Sequence, residues 1–153
     1  MLETPHVVVG AAIAFKVGNP ALALPLALGS HFILEKIPHW NPHLNTEKKN
    51  IGKISSQTTK IVVADTLLSL VLGTLIAFKA YPDITKVTVV LLGAFLAALP
   101  DLIEAPYFFL NQQSDFILKW IKFKKSLQAN TNIIPGLIYQ VLTIIFAFLW
   151  VFG

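Results

Sequence analysis

His31 and Glu35 stand four residues apart at the end of a hydrophobic segment, in the run His31-Phe32-Ile33-Leu34-Glu35-Lys36-Ile37-Pro38-His39-Trp40. On a helix that spacing stacks an imidazole and a carboxylate on one face, where the two can share a metal ion. Ionisable groups at the end of a membrane segment are costly without partners, so other side chains are expected to point at this pair. His6 near the start of the chain, Asp65 inside a later apolar stretch, and Asp101 and Glu104 after Pro100 are the candidates. Cysteine is absent, which leaves His, Asp and Glu as the only metal ligands, and imidazole with carboxylate suits zinc or a similar divalent ion. Such an ion brings a bound water to a pKa of about 7 and so supports ester or phosphoester hydrolysis. His31, Glu35 and Asp101 lead as metal ligands, followed by His6 and Asp65. Glu104 or His39 would carry protons or support the ligands.

The elements that must bring these groups together are apolar. Of 153 residues, 55% are hydrophobic and only 13% charged, and the mean hydropathy is +0.68. That composition belongs to an integral membrane protein. All twelve basic residues are lysine, so the bidentate fork that favours guanine edges and phosphates is missing and nucleic acid is not an expected partner. A pI near 9.4 instead points to lysines at the anionic face of a bilayer. Met1 to His6 has no basic leader, and Thr4-Pro5 opens a helix, so no cleaved signal peptide is expected.

Val7 to Phe15 reads as a short apolar helix, and after the Gly18-Asn19-Pro20 turn the apolar run resumes from Ala21 to Leu34. The first arm of this hairpin is shorter than the roughly 20 residues of a full span, so it is expected to be tilted, re-entrant or shielded by its neighbours. Pro38 to Lys53 reads as a polar solvent loop. Ile61 to Phe78, Val87 to Leu99 and Ile133 to Phe152 are spans, the last with Gln140 inside it. Ser114 to Leu127 carries Asp115, Lys119, Lys122 and Ser126 on one face and Phe116, Ile117, Trp120 and Phe123 on the other, the pattern of a basic interfacial helix. The expected fold is a single all-α domain over residues 1–153, a polytopic bundle of about five membrane-embedded helices and one interfacial amphipathic helix.

Lys36, Lys48, Lys49, Lys53 and Lys60 precede the third helix, and Lys119, Lys122, Lys124 and Lys125 follow the fourth. An antiparallel pair puts both clusters on one side, expected to be cytoplasmic, with Lys16, Lys79 and Lys86 opposite. This topology carries His6, His31, Glu35, His39, Asp65, Asp101 and Glu104 to one membrane face, leaving Asp83 at the other. A carboxylate in a low-dielectric bundle is costly unless paired, protonated or metal-bound, so their convergence suggests a shared cation. Blander roles stay open for each. His39 and His43 also read as interfacial or solvated, Lys36 as a counter-charge to Glu35 or Glu104, Asp65 as a tie between helices, and Asp101 as a helix-end turn.

Thr4-Pro5-His6 ahead of a Gly-containing apolar helix, the later His-x-x-x-acid segment and Leu99-Pro100-Asp101 together resemble small bacterial inner-membrane proteins described as membrane-bound metal-dependent hydrolases. The run from His31 to Glu35, with Pro38 and His39 after it, is similar to the His-Phe-x-x-Asp-x-x-x-Pro-x-His run of zinc-dependent phospholipase C and related nucleases. That resemblance implies an all-helical zinc enzyme with His31 and Glu35 as ligands and His6 in the place of an N-terminal ligand. It has departures: Glu replaces Asp at position 35, and the second Asp and the His-Arg-Gly-x-Thr-His-Ser segment of the membrane family have no counterpart. The expected function is a metal-dependent hydrolase of a lipid or other phosphoester at the cytoplasmic face of the inner membrane. The alternative is a non-catalytic membrane protein whose polar cluster ties its helices together. A carrier would place its polar groups near the midplane, not at one face.

Overall fold

A computed structural model describes residues 1–153. Eight helices follow in order: α1 (Glu3–Val17), α2 (Pro20–Leu34), α3 (Leu44–Ile51), α4 (Ser56–Phe78), α5 (Ile84–Leu102), α6 (Ala105–Leu110), α7 (Asp115–Leu127) and α8 (Ile133–Phe152). The chain has no strand, and a single parallel bridge joins His39 to Asn130. Boundaries follow local chemistry. The side chains of Asn19, Ser55, Asp83 and Ser114 accept backbone N–H groups in the first turns of α2, α4, α5 and α7, satisfying donors that a helix start leaves free.

Three helices, α4, α5 and α8, are long and apolar enough to cross a membrane, fewer than the five embedded helices expected. The difference lies in α1 and α2, each of 15 residues. At 1.5 Å per residue such a helix covers about 22 Å of a hydrocarbon core about 30 Å thick. Of the outcomes open to α1, shielding is the one observed. It packs against α2, α4, α5 and α8, and Val8, Ala11, Ala12 and Ala14 are wholly buried. Small residues permit that central position: a Cβ on Gly10 would lie 2.4 Å from the Ala97 Cβ, and one on Gly93 would lie 2.5 Å from the Ala14 Cβ. The outer helices α4 and α8 leave their large apolar side chains, Leu67, Leu70, Ile134 and Phe146 among them, exposed around the bundle.

One other expectation is corrected. The segment 38–53 is not a free loop, because it contains α3. Glu47 of α3 accepts from the Ser55 N–H and the Thr58 hydroxyl at the start of α4, and Lys48 donates to the Phe108 carbonyl and the Asn111 side chain of α6 and its cap. Helix α6 itself follows a break at Ile103-Glu104. There the Glu104 N–H turns back to the Asp101 carbonyl, which frees the Pro100 carbonyl to accept from the Trp120 indole at 3.0 Å. That bond anchors α7, which makes no backbone hydrogen bond to any other element.

Candidate metal centre

Three helices bring His6, His31 and Asp101 together. His6 sits one turn into α1, His31 near the end of α2, and Asp101 at the end of α5. One ligand atom from each lies within 4.8 Å of the others, and the two imidazole rings stack with centroids 3.9 Å apart. Hydrogen bonding fixes the tautomers. His31 Nδ1 lies 2.8 Å from the Ala97 carbonyl; a carbonyl can only accept, so Nδ1 carries the proton and Nε2 the lone pair. His6 Nε2 lies 3.2 Å from Glu35 Oε1, which leaves the lone pair on Nδ1. His6 Nδ1, His31 Nε2 and Asp101 Oδ2 are all buried without a hydrogen-bond partner. Buried polar atoms are rarely left in that state, and two oriented imidazole lone pairs beside a carboxylate oxygen are a donor set for zinc.

Glu35 lies beside these three rather than among them. Its Oε1 accepts from the Met1 amino group at 2.5 Å as well as facing His6. Burial alone would raise its carboxyl, but the His6 contact and the amino group hold it below the usual carboxylate range. Its Oε2 has no partner and stands 3.9 Å from His39 Nε2. His39 is fully buried, not the solvated residue its polar surroundings suggested. Its Nδ1 faces the Ile37 carbonyl at 2.8 Å, leaving Nε2 bare. Burial and the Met1 amino group bring it down to about 4, so the ring is neutral. The segment before α8 holds this loop in place: the Ala129 N–H donates to the Glu35 carbonyl and the Thr131 N–H to that of His39.

Asp65 is not in the group. Its carboxylate accepts from the backbone N–H groups of Glu3 and Thr4 at 2.5 and 3.3 Å and from the Thr4 hydroxyl at 2.6 Å. From α4 it therefore caps α1, whose own N-cap residue Leu2 offers no side-chain acceptor, and the blander role weighed for it is the one the geometry gives. His43 is exposed, in a left-handed conformation at the start of α3, and Lys36 is exposed without an acidic partner.

The counter-charge comes instead from Lys124, which sequence reasoning missed. Its side chain is 1% exposed; the ammonium pairs with Asp101 Oδ1 and lies 3.6 Å from Glu104 Oε1. Burial would lower Lys124, and the two carboxylates more than reverse this, raising it. Glu104 is raised as well: burial, opposed by Lys124 and aided by Asp101, pushes it up to about 7. A signal was present in α7, where Ile117, Trp120, Ile121 and Lys124 follow helical spacing, so this lysine sits on the apolar face. Glu3, whose buried carboxyl lies against that of Asp101, and the Met1 amino group were also missed. Beside the group lies a cavity of about 360 Å³ that reaches Glu3, Asp101 and Glu104 at its inner end.

The arrangement can hold a cation on three oriented donors, with an oriented carboxylate and a neutral imidazole next to it. It also supplies a carboxyl near neutrality and one buried ammonium. No protein-family model, no curated protein and no solved structure matches the chain.

Proposed function

We propose that the protein is an integral membrane hydrolase that holds a divalent metal, zinc by its donor set, and acts on a lipid or other phosphoester at the cytoplasmic membrane face. In this reading α1 and α2 are embedded alongside the three spans, making five membrane-embedded helices, and α7 rests at the interface. The observation that carries the proposal is the set of three buried, unpartnered atoms, His6 Nδ1, His31 Nε2 and Asp101 Oδ2, on three different helices. A metal there would polarise the phosphoester and lower the pKa of water. Lys124 holds one oxygen of Asp101 and thereby turns the other toward the imidazoles. Glu104, close to neutrality, can accept and return a proton at its carboxyl near pH 7. His39, whose bare Nε2 stands 3.9 Å from Glu35 Oε2, is a second group that can take up a proton beside the metal.

Metal analysis after purification without chelators tests the reading. The expected result is one metal per chain, lost in His31→Ala and Asp101→Ala, with metal-dependent turnover of a chromogenic phosphodiester. Absence of stoichiometric metal overturns it. The ion pairs favour a second reading, a non-catalytic membrane protein whose polar cluster ties its helices. It draws on Asp65 capping α1, on Lys124 between Asp101 and Glu104, and on the Gln140 side chain, which accepts from Leu2 N–H and donates to the Trp40 carbonyl. Bound metal without turnover supports this second reading.

A further inference from the structure

The cavity beside the metal-binding group has two kinds of wall. Its inner end is acidic, with Glu3, Asp101 and Glu104, while Leu102 and Phe109 line another part of it. These two apolar residues are 44% and 40% exposed, so the cavity lining continues onto the outer surface at the ends of α5 and α6. That surface belongs to the apolar belt formed with the exposed side chains of α4. Residues 41–46 line its polar side, with His43 and Thr46 exposed, and lead into α3, which Glu47 ties to α4 and Lys48 ties to α6 and its cap. Polar residues border the cavity there, whereas Leu102 and Phe109 present an apolar sill on another side.

From this continuity we infer that the cavity takes the polar head of a membrane lipid entering sideways from the bilayer over Leu102 and Phe109, its acyl chains remaining outside. About 360 Å³ lies at the small end of ligand cavities; it has room for a phosphoester head group but not for two chains. Lys125 and Gln128 also line it and supply a cation and an amide to a phosphate. Leu102 lies at the end of a candidate span and α6 just beyond it, the depth at which head groups meet acyl chains. The inference names the substrate class for the hydrolase reading and rests on it for turnover, but not for occupancy.

Occupancy can be read without catalysis or metal. The chelated protein is reconstituted in vesicles of ether-linked phosphatidylcholine containing a small fraction of the same lipid with a diazirine beside the phosphate, and cross-links are mapped by peptide mass spectrometry. Labelling is expected at Glu104, Phe108 and Asn45 inside the cavity. It should fall several-fold in Leu102→Trp and Phe109→Trp, which bulk up the sill, while labelling of the outward Tyr139 on α8 stays unchanged. Labelling confined to outward residues overturns the inference. So does equal labelling by a soluble glycerophosphocholine probe that ignores the two tryptophan variants, because that ligand would have entered from water. Cavity labelling in a protein that holds no metal would retain the lipid site and remove the hydrolase.

Discussion

The two ends of the bundle treat lysine in opposite ways. At the end formed by the α4–α5 turn, Lys79 lies over the Phe152 ring at 4.6 Å and Lys86 over the Phe15 ring at 4.1 Å. Their acidic neighbour Asp83 is exposed and spends its carboxylate on capping α5. At the other end Lys124 is buried between two carboxylates, and seven buried side-chain atoms there lack partners. A lysine laid on an aromatic ring keeps its head near water and requires nothing further. A buried lysine among unsatisfied donors and acceptors is costly unless the site is used. One end closes the fold with every charge near water; the other keeps buried polar atoms without partners.

Removing Lys124 should break this contrast most strongly. In metal-free protein Lys124→Met keeps the apolar stem but leaves Asp101 and Glu104 without their cation, at an expected cost of about 3 kcal/mol. Chemical denaturation in detergent reads this directly, and a loss equal to that of Lys86→Met would erase the distinction between the ends. Comparable in size is a pH effect. Glu104 stays protonated up to about pH 7 in the fold, against an ordinary value of 4.5. Between those values the folded chain binds more protons than the unfolded one, so stability falls as pH rises from about 4.5 to 7, by about 3 kcal/mol. Glu104→Gln should remove that fall, visible as a metal-free melting temperature less dependent on pH. The smallest effect belongs to the far end: Lys86→Met should cost under about 1 kcal/mol, with no change in metal content.

Much of this was legible in residue order. Helix α8 runs over Ile133–Phe152 as its composition predicts, and His6, His31 and Asp101 meet because the hairpin and the antiparallel spans leave them at one end. What escaped was tertiary. Asp65 had the chemistry of a ligand, but α1 begins without a cap, and the N–H groups of Glu3 and Thr4 claim that carboxylate. Lys124 resembles its neighbours Lys122 and Lys125 in type, and its place on the face of Ile117, Trp120 and Ile121, with Trp120 packed against Phe32 and the Pro100 carbonyl, turns it inward. His39 looked solvated because its neighbours are polar, yet the backbone of Ala129 to Thr131, some ninety positions later, closes over it.

The central position of α1 has a consequence for biogenesis. This helix is made before α4, α5 and α8, is too short to span the bilayer unaided, and finds its lasting neighbours in those three. Its seat between Gly93 and Ala97 does not exist until α5 is inserted, and the contact of Leu2 with Gln140 waits for α8. A helix made ahead of its neighbours is therefore among the last to settle. During that interval it depends on the insertion machinery to shelter it, so truncation before α8 should leave a chain marked for proteolysis.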